Sequence, residues 1–500
     1  MLKAFPYTMK TGLFIPGMSC LVMTLLLGAH DVSAQTEAAK YQQLENEIQT
    51  LRKQMETLEA NHRREIDELK AMLQQKGNAV PSTVAVIPSA ATNTTNTVNA
   101  PMEQDLYSSF KQKVVEALPK NTTLQGLDMD ISAVLDLYFY HDTSSEGMAH
   151  LKEGLSGFGH HHAGDHDHEA YKNGFNLRHV ELGFSAEVDP YFRAWTIVAV
   201  SEEGAEVEEA VLQTTCLPYG FMLSAGKLRS GIGRMNRQHS HSWDFVDQPL
   251  VYDVMFGHHG LNEVGAQVTW LAPTPFYWLF GAEVFNGDNE QSFAVAEDDA
   301  LVEHNAPRLY TAFMKIGPEL GEQHALLFGL SAVGGQHQVV EEALLKAADG
   351  YTLIYGTDFV YKYSAQRSHG EGDVVVQGEY FYRTMNLDGA GADWDGSDWE
   401  ADQDGYYLQG LYGFLPRWRA GLRWDQVGVM NRVQEPYETR NVFGSSERAS
   451  FVVDWKLSEF SLLRAQLGRG WYQTDEARED AWEVLLQWQL TFGKHGAHDF

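Results

Sequence analysis

The chain has 500 residues, 44% of them hydrophobic and 12% aromatic, and a formal net charge of −31. Beyond the amino terminus no apolar run reaches 18 residues, which excludes helical membrane spans there. The negative charge argues against nucleic acid as a partner, since phosphate backbones need basic grooves, and suits a surface that meets cations.

Residues 1–34 set Lys3 and Lys10 ahead of the apolar segment GLFIPGMSCLVMTLLLGA and end on Val32-Ser33-Ala34. This pattern predicts a secretory signal peptide cut before Gln35. Cys20 leaves with it, so Cys216 stands alone and no internal disulfide is expected. Over residues 35–77 the period changes to a heptad. Leu44, Ile48, Leu51, Met55, Leu58, Leu69 and Met72 take the core slots, with His62 and Glu65 filling the two between. Such a stripe predicts a short α-helical coiled coil and therefore partner chains. Residues 78–103 are nearly uncharged and rich in Thr, Asn, Ala and Pro, the composition of a flexible linker. Residues 104–127 form a pre-barrel segment with one short helix in SSFKQKVVEALPK.

From 128 to 500 the period is two. Sixteen strand-like segments can be counted, the last being 481–492, AWEVLLQWQLTF. There Trp482, Val484, Leu486, Trp488, Leu490 and Phe492 share one face, and Glu483, Gln487, Gln489 and Thr491 the other, with Leu485 as the exception. The segments 351–363, 417–427 and 448–457 alternate as cleanly, whereas 191–200, 205–214 and 220–229 are ambiguous. Connections after even-numbered strands are tight, such as Asp189-Pro190, Pro273-Thr274 and Pro416, with 367–372 the exception. Most connections after odd-numbered strands are long and polar: 141–175, 230–262, 287–307, 333–350, 385–404 and 428–447. Short turns on one rim and long loops on the other predict an all-β, 16-stranded antiparallel transmembrane barrel in the outer membrane, its turns and both termini periplasmic. Phe500 supplies the aromatic carboxyl terminus that resembles bacterial outer-membrane barrels.

Two loops carry metal-ligand chemistry. The first holds His160, His161, His162, Asp165, His166, Asp167, His168 and Glu169 within ten residues, a set suited to transient capture of Zn²⁺ or a similar ion outside the cell. Read blandly, it is a hydrophilic loop with incidental affinity. The second, 230–262, holds His239, His241, His258 and His259. It suits either a constriction folded into the lumen or a packed surface loop. The acidic segment 388–404 reads as a cation-attracting rim. Candidate pore-lining charges are Arg417, Arg419, Arg423 and Arg464 against Glu181, Glu283, Glu379 and Glu483; arginine rings favour anions and acidic rings cations, so both selectivities stay open. No nucleophile–base set or phosphate loop stands out, so no enzyme and no required cofactor is expected.

Two resemblances follow. Signal peptide, coiled coil, linker and sixteen strands together resemble phosphate-selective trimeric porins, which implies a homotrimer. FNLRHVELGFSAEVDPYFRAW, VEEAVLQTTCLPYGFMLSAGK, HSWDFVDQPLV and GLNEVGAQVTWLAPTPFYWLFGAEVFNG resemble a family of zinc-regulated outer-membrane proteins often labelled TonB-dependent receptors. The chain departs from that label: no plug-sized domain precedes the strands, and sixteen fall short of the roughly 22 of plugged transporters. The expectation is a trimeric porin in outer-membrane lipid passing small hydrophilic solutes, divalent cations such as zinc foremost. The alternatives are an anion-selective porin and a structural tether to peptidoglycan.

Overall fold

A strand that crosses lipid cannot leave its backbone groups unpaired, so a sheet in a bilayer must close on itself. The computed structural model describes residues 129–493 except 146, 149–150, 153–154, 156–171, 203, 294–306, 342–345, 392–397, 436–437, 441–443 and 474–477. The expected signal peptide, coiled coil, linker, pre-barrel segment, His tract and carboxyl terminus lie outside the described residues. The sixteen strands are β1 (Met129–Asp142), β2 (Gly174–Asp189), β3 (Phe192–Val200), β4 (Ala205–Thr214), β5 (Phe221–Arg229), β6 (Asn262–Leu271), β7 (Tyr277–Phe285), β8 (Leu309–Gly317), β9 (His324–Glu341), β10 (Lys346–Tyr363), β11 (Val374–Gly391), β12 (Asp398–Leu415), β13 (Trp418–Glu435), β14 (Ser446–Lys456), β15 (Ser461–Gln473) and β16 (Arg478–Gly493). Each pairs antiparallel with its neighbours in the chain, and β1 pairs with both β2 and β16, from Ser132 opposite Gly493 to Asp142 opposite Glu483. The barrel is closed. A three-residue strand, Glu438–Arg440, pairs with the end of β13 and takes no place in the ring.

The alternation of β16 sorts its two faces as expected. Trp488 is 50% exposed on the outside and its neighbour Gln487 only 2% exposed on the inside. Leu223, Phe328, Leu353, Leu422 and Phe451 extend the apolar jacket around the ring. Near the tight turns Phe221, Trp270, Phe280 and Trp278 stack in succession with ring centroids 5.1–6.2 Å apart, and Trp418 stacks on Trp455 at 5.2 Å. Such aromatic bands mark where lipid gives way to water. Among the described residues no helix is long and apolar enough to cross a membrane; the strands do so.

The connections differ from expectation on the loop rim. The segments 333–350, 385–404 and 428–447 are largely strand, because β9 to β13 each run 18 residues. About 9–11 residues suffice to span the lipid, so these 18-residue strands extend beyond it, and their upper parts need no apolar outer face. Two acids of the segment 388–404 are engaged along these hairpins. Asp402 accepts a hydrogen bond from Tyr382 Oη at 2.8 Å, and Asp404 accepts from Tyr380 Oη at 3.2 Å and Met430 N at 2.7 Å, so both belong to strand structure.

Gly226, on β5, has φ +130°, and a Cβ there would lie 1.9 Å from the Ala210 carbonyl oxygen on β4. Gly226→Ala is expected to cost the barrel about 1–3 kcal/mol. Gly410→Ala should cost nearly nothing, since its Cβ would meet only Val375 O at 4.0 Å. Urea unfolding followed by the gel mobility of the folded barrel measures both.

Candidate functional site

Between β5 and β6 the chain turns into the lumen and lies against the inner wall. Its helix α1 (Leu250–Phe256) follows Pro249, whose fixed φ suits a helix start, and stops at Gly257, φ +74°. Leu250, Val251, Tyr252, Val254, Met255 and Phe256 of α1 are buried. They pack into an apolar core within the barrel, together with Phe293 of α2 (Glu290–Phe293), Met148, Leu151 and Leu155 of the first loop, and inward-facing Tyr140, Phe381, Tyr407, Tyr472 and Leu485. The loop is a constriction, and Leu485 breaks the polar face of β16 because it meets this core.

Three carboxylates of the wall or loop fasten it. Asp247 takes Arg423 Nη2 at 2.7 Å, Arg448 Nη1 at 2.5 Å and Gln466 Nε2 at 2.7 Å, from β13, β14 and β15. Around it Arg419 pairs with Asp244 at 2.7 Å, Arg423 lies 4.5 Å over the Phe245 ring, and Arg178 donates to Val246 O at 2.6 Å. On β11 Glu379 accepts from Arg234 N, Met235 N, Tyr252 Oη and Tyr407 Oη at 2.6–2.9 Å. On β7 Glu283 accepts from Gly231 N at 2.8 Å, Gln267 Nε2 at 2.6 Å, Ser230 and Thr311.

The expected pore-lining residues therefore divide. Glu283, Glu379, Glu483, Arg423 and Arg464 face inward but are 2–5% exposed, covered by the loop or paired along the wall. Arg464 pairs with Asp454 at 2.8 Å, Arg419 shares Asp454 with it at 2.5 Å, and Glu483 accepts from Tyr472 Oη at 2.8 Å. Arg417 does not line the pore. It lies exposed in the tight turn before β13 with φ +69°, donating to Leu457 O at 2.8 Å. Glu181 is just as little exposed, at 2%, but borders a cavity.

Four side chains that sequence reasoning left unmarked or apart join Glu181. In β4 the register steps from Ile197–Glu209 to Val198–Val207, so Glu208 is an extra residue and both carboxylates turn inward. In β2 a second bulge, between Asp136–His179 and Leu137–Leu177, does the same for Arg178 and His179. His239 descends from the loop between them. Its Nδ1 lies 2.6 Å from Glu208 Oε2 and 3.7 Å from Glu181 Oε2, and its Nε2 lies 3.1 Å from Glu209 Oε1. His241 Nδ1 is 2.9 Å from Glu181 Oε2, and the two imidazoles stack with centroids 5.8 Å apart. Burial and Arg229 act to lower the His239 pKa, but hydrogen bonds to Glu208 and Glu209 and the charge of Glu181 outweigh them and push it up to about 9. His258 and His259, by contrast, sit in the turn after α1 against each other, outside this cluster. The first-loop residues His160 to Glu169 lie outside the described residues.

Beneath the loop, on the side of β1 to β9, a cavity of about 1400 Å³ runs from Glu181, Arg229 and His239 to the tight-turn residues Leu217, Pro318 and Glu322. Gly183, Ser185, Ser132 and Ser224 keep its wall small.

An apolar jacket, an aromatic band, a polar inner wall and an inward constriction loop define a membrane-spanning β-barrel of the outer-membrane type. No family model matches the chain. It is 35% identical over 391 residues to an uncharacterized protein of Aquifex aeolicus (strain VF5), covering 74% of this chain and 80% of that one, and it belongs to the same family as that protein. Among solved structures it is similar to the outer membrane channel DcaP of Acinetobacter baumannii, at 12% identity and TM-score 0.48 over 73% of this chain and 98% of that one. It is also similar to an anion-selective porin from Comamonas acidovorans, at 9% identity and TM-score 0.43 over 73% and 100%. These likenesses concern the fold alone.

Asp247→Asn leaves Arg423 and Arg448 sharing Asp425, with Glu483 3.9 Å from Arg448, and is expected to destabilise loop docking by about 3–5 kcal/mol. Hydrogen exchange over 244–256 should accelerate more than a hundredfold while the outer strands keep their protection.

Burial alone would raise the Asp247 pKa, but Arg423 and Arg448 outweigh it and hold the carboxyl far below its ordinary 3.8. A depressed folded-state pKa gives stability that is complete above the unfolded value and is lost as pH falls below it. Asp247 therefore contributes no acceleration of loop exchange, corrected for intrinsic rates, between pH 7 and pH 5, while the raised pKa of His239 tightens docking as pH falls over the same interval. Loosening across that interval would show that the arginines do not hold it.

Proposed function

We propose that the protein is an outer-membrane porin giving passive diffusion of small hydrophilic solutes, with divalent metal ions such as zinc as its favoured cargo. The observation that carries this reading is the charged cavity of about 1400 Å³ under the constriction loop, inside a barrel jacketed by apolar side chains. The acidic chain raises the local concentration of cations at the mouth, an effect that salt screens within about 8–10 Å. Of the wall arginines, Arg419 is engaged with Asp244 and Asp454, Arg423 with Asp247 and Asp425, and Arg464 with Asp454, while the cavity sets Arg193, Arg229, Arg234, Arg237 and Lys315 beside Asp130, Glu181, Glu209, Glu319 and Glu322. The His160 to His168 tract acts in this reading as an external metal lure, and residues 35–77 join three chains in the periplasm.

Purified protein in a planar bilayer under a salt gradient tests the reading. Stepwise conductance with a reversal potential of the cation-selective sign is expected. An anion-selective sign would favour the phosphate-type porin, and absence of conductance would favour a tether to peptidoglycan.

A further inference from the structure

We infer that the constriction loop and the barrel wall together build a divalent transition-metal site, with Glu181 of β2, Glu208 of β4 and His239 of the loop as its ligands. For its role in transport the site rests on the porin reading; binding itself does not depend on conduction.

The geometry comes first. One ligand atom from each of the three residues lies within 4.8 Å of the others, and all three residues are buried. Ligands bound to one tetrahedral ion at about 2.0–2.2 Å stand roughly 3.4 Å apart. His239 Nδ1 and Glu181 Oε2, at 3.7 Å, already have nearly that spacing. Glu208 Oε2, now 2.6 Å from Nδ1, needs to withdraw by less than about 1 Å as an ion replaces the hydrogen between them.

A histidine that merely pins the loop is the competing explanation. Such a pin needs one carboxylate, and Glu209, facing inward on the regular alternation of β4, is already 3.1 Å from Nε2. The bulge adds Glu208 on the Nδ1 side, where Glu181 converges from the next strand but one. Three carboxylates are thereby crowded around one imidazole, with Arg229 3.4 Å from Glu208 and 3.8 Å from Glu209. The surrounding contacts orient the ligands. His241 holds Glu181 Oε2 at 2.9 Å, and Glu209, itself fixed by Trp195 Nε1 at 2.5 Å, meets the second ring nitrogen of His239.

Glu181, Glu209 and His239 border the cavity, so an ion arrives from the lumen and a water can fill the remaining position. One imidazole with carboxylates and no thiolate selects zinc, cobalt or nickel over the all-oxygen ions calcium and magnesium.

The experiment uses the full chain in detergent with His160, His161, His162, His166 and His168 replaced by alanine, which removes the competing tract. Zinc is titrated calorimetrically, and cobalt by its visible absorption. One equivalent of each metal is expected to bind the tract variant. Adding Glu208→Gln or His239→Gln should weaken binding more than tenfold and abolish the tetrahedral cobalt bands, while Glu319→Gln, at the turn rim, should leave both unchanged. Heat-dependent gel mobility confirms that each variant is folded. No binding to the tract variant, or equal binding by Glu208→Gln and His239→Gln, overturns the site. Metal binding without conductance would leave the site standing and remove the porin reading; conductance without binding would do the reverse.

Discussion

The structure depends on one carboxylate. Asp247 enters the barrel on a loop and is gripped by Arg423 and Arg448, which also share Asp425. Burying two guanidinium groups is costly unless each meets a fixed counter-charge with good geometry, and the wall supplies Asp425 within 3.2 Å of both, with Glu483 farther off at 3.9 Å from Arg448. The loop supplies Asp247. The roles reverse at Glu379 and Glu283, where the wall brings the acceptors and the loop backbone brings the N–H groups. Wall and loop are thus halves of one polar network, and the tyrosines around α1 exclude water from it.

How much of this was legible follows from where each residue sits relative to lipid. In the zone that faces acyl chains every second residue must be apolar, so all sixteen strands could be counted. The tops of β9 to β13 carry no such constraint, and their polar residues read as loops. Leu485 looked like a defect in β16 because the core it joins draws on residues that arrive from distant loops. Arg417 looked like one of a ladder because period two cannot show that the strand begins one residue later, at Trp418.

The metal-ligating cluster was half visible. His239, His241 and Glu181 could be marked by residue type, but their convergence could not, because it depends on two bulges that break the alternation. The signal was present as the adjacent Glu208-Glu209 pair in a strand that otherwise alternates poorly. An ambiguous strand with two consecutive acids is what a bulge looks like before the fold is known. The HSWDFVDQPLV stretch, one of those that carry the resemblance, is the part of the loop that meets the wall: Asp244, Phe245, Val246, Asp247 and Gln248 each touch it.

The separation of those partners along the chain makes docking of the loop a long-range event. Asp247 meets Arg423 and Arg448 across 176 and 201 residues. Bringing groups so far apart in sequence together costs chain entropy before any ion pair repays it. The loop can settle only against a wall that already holds β13 and β14 in register, so a docked constriction is itself a readout of a completed barrel.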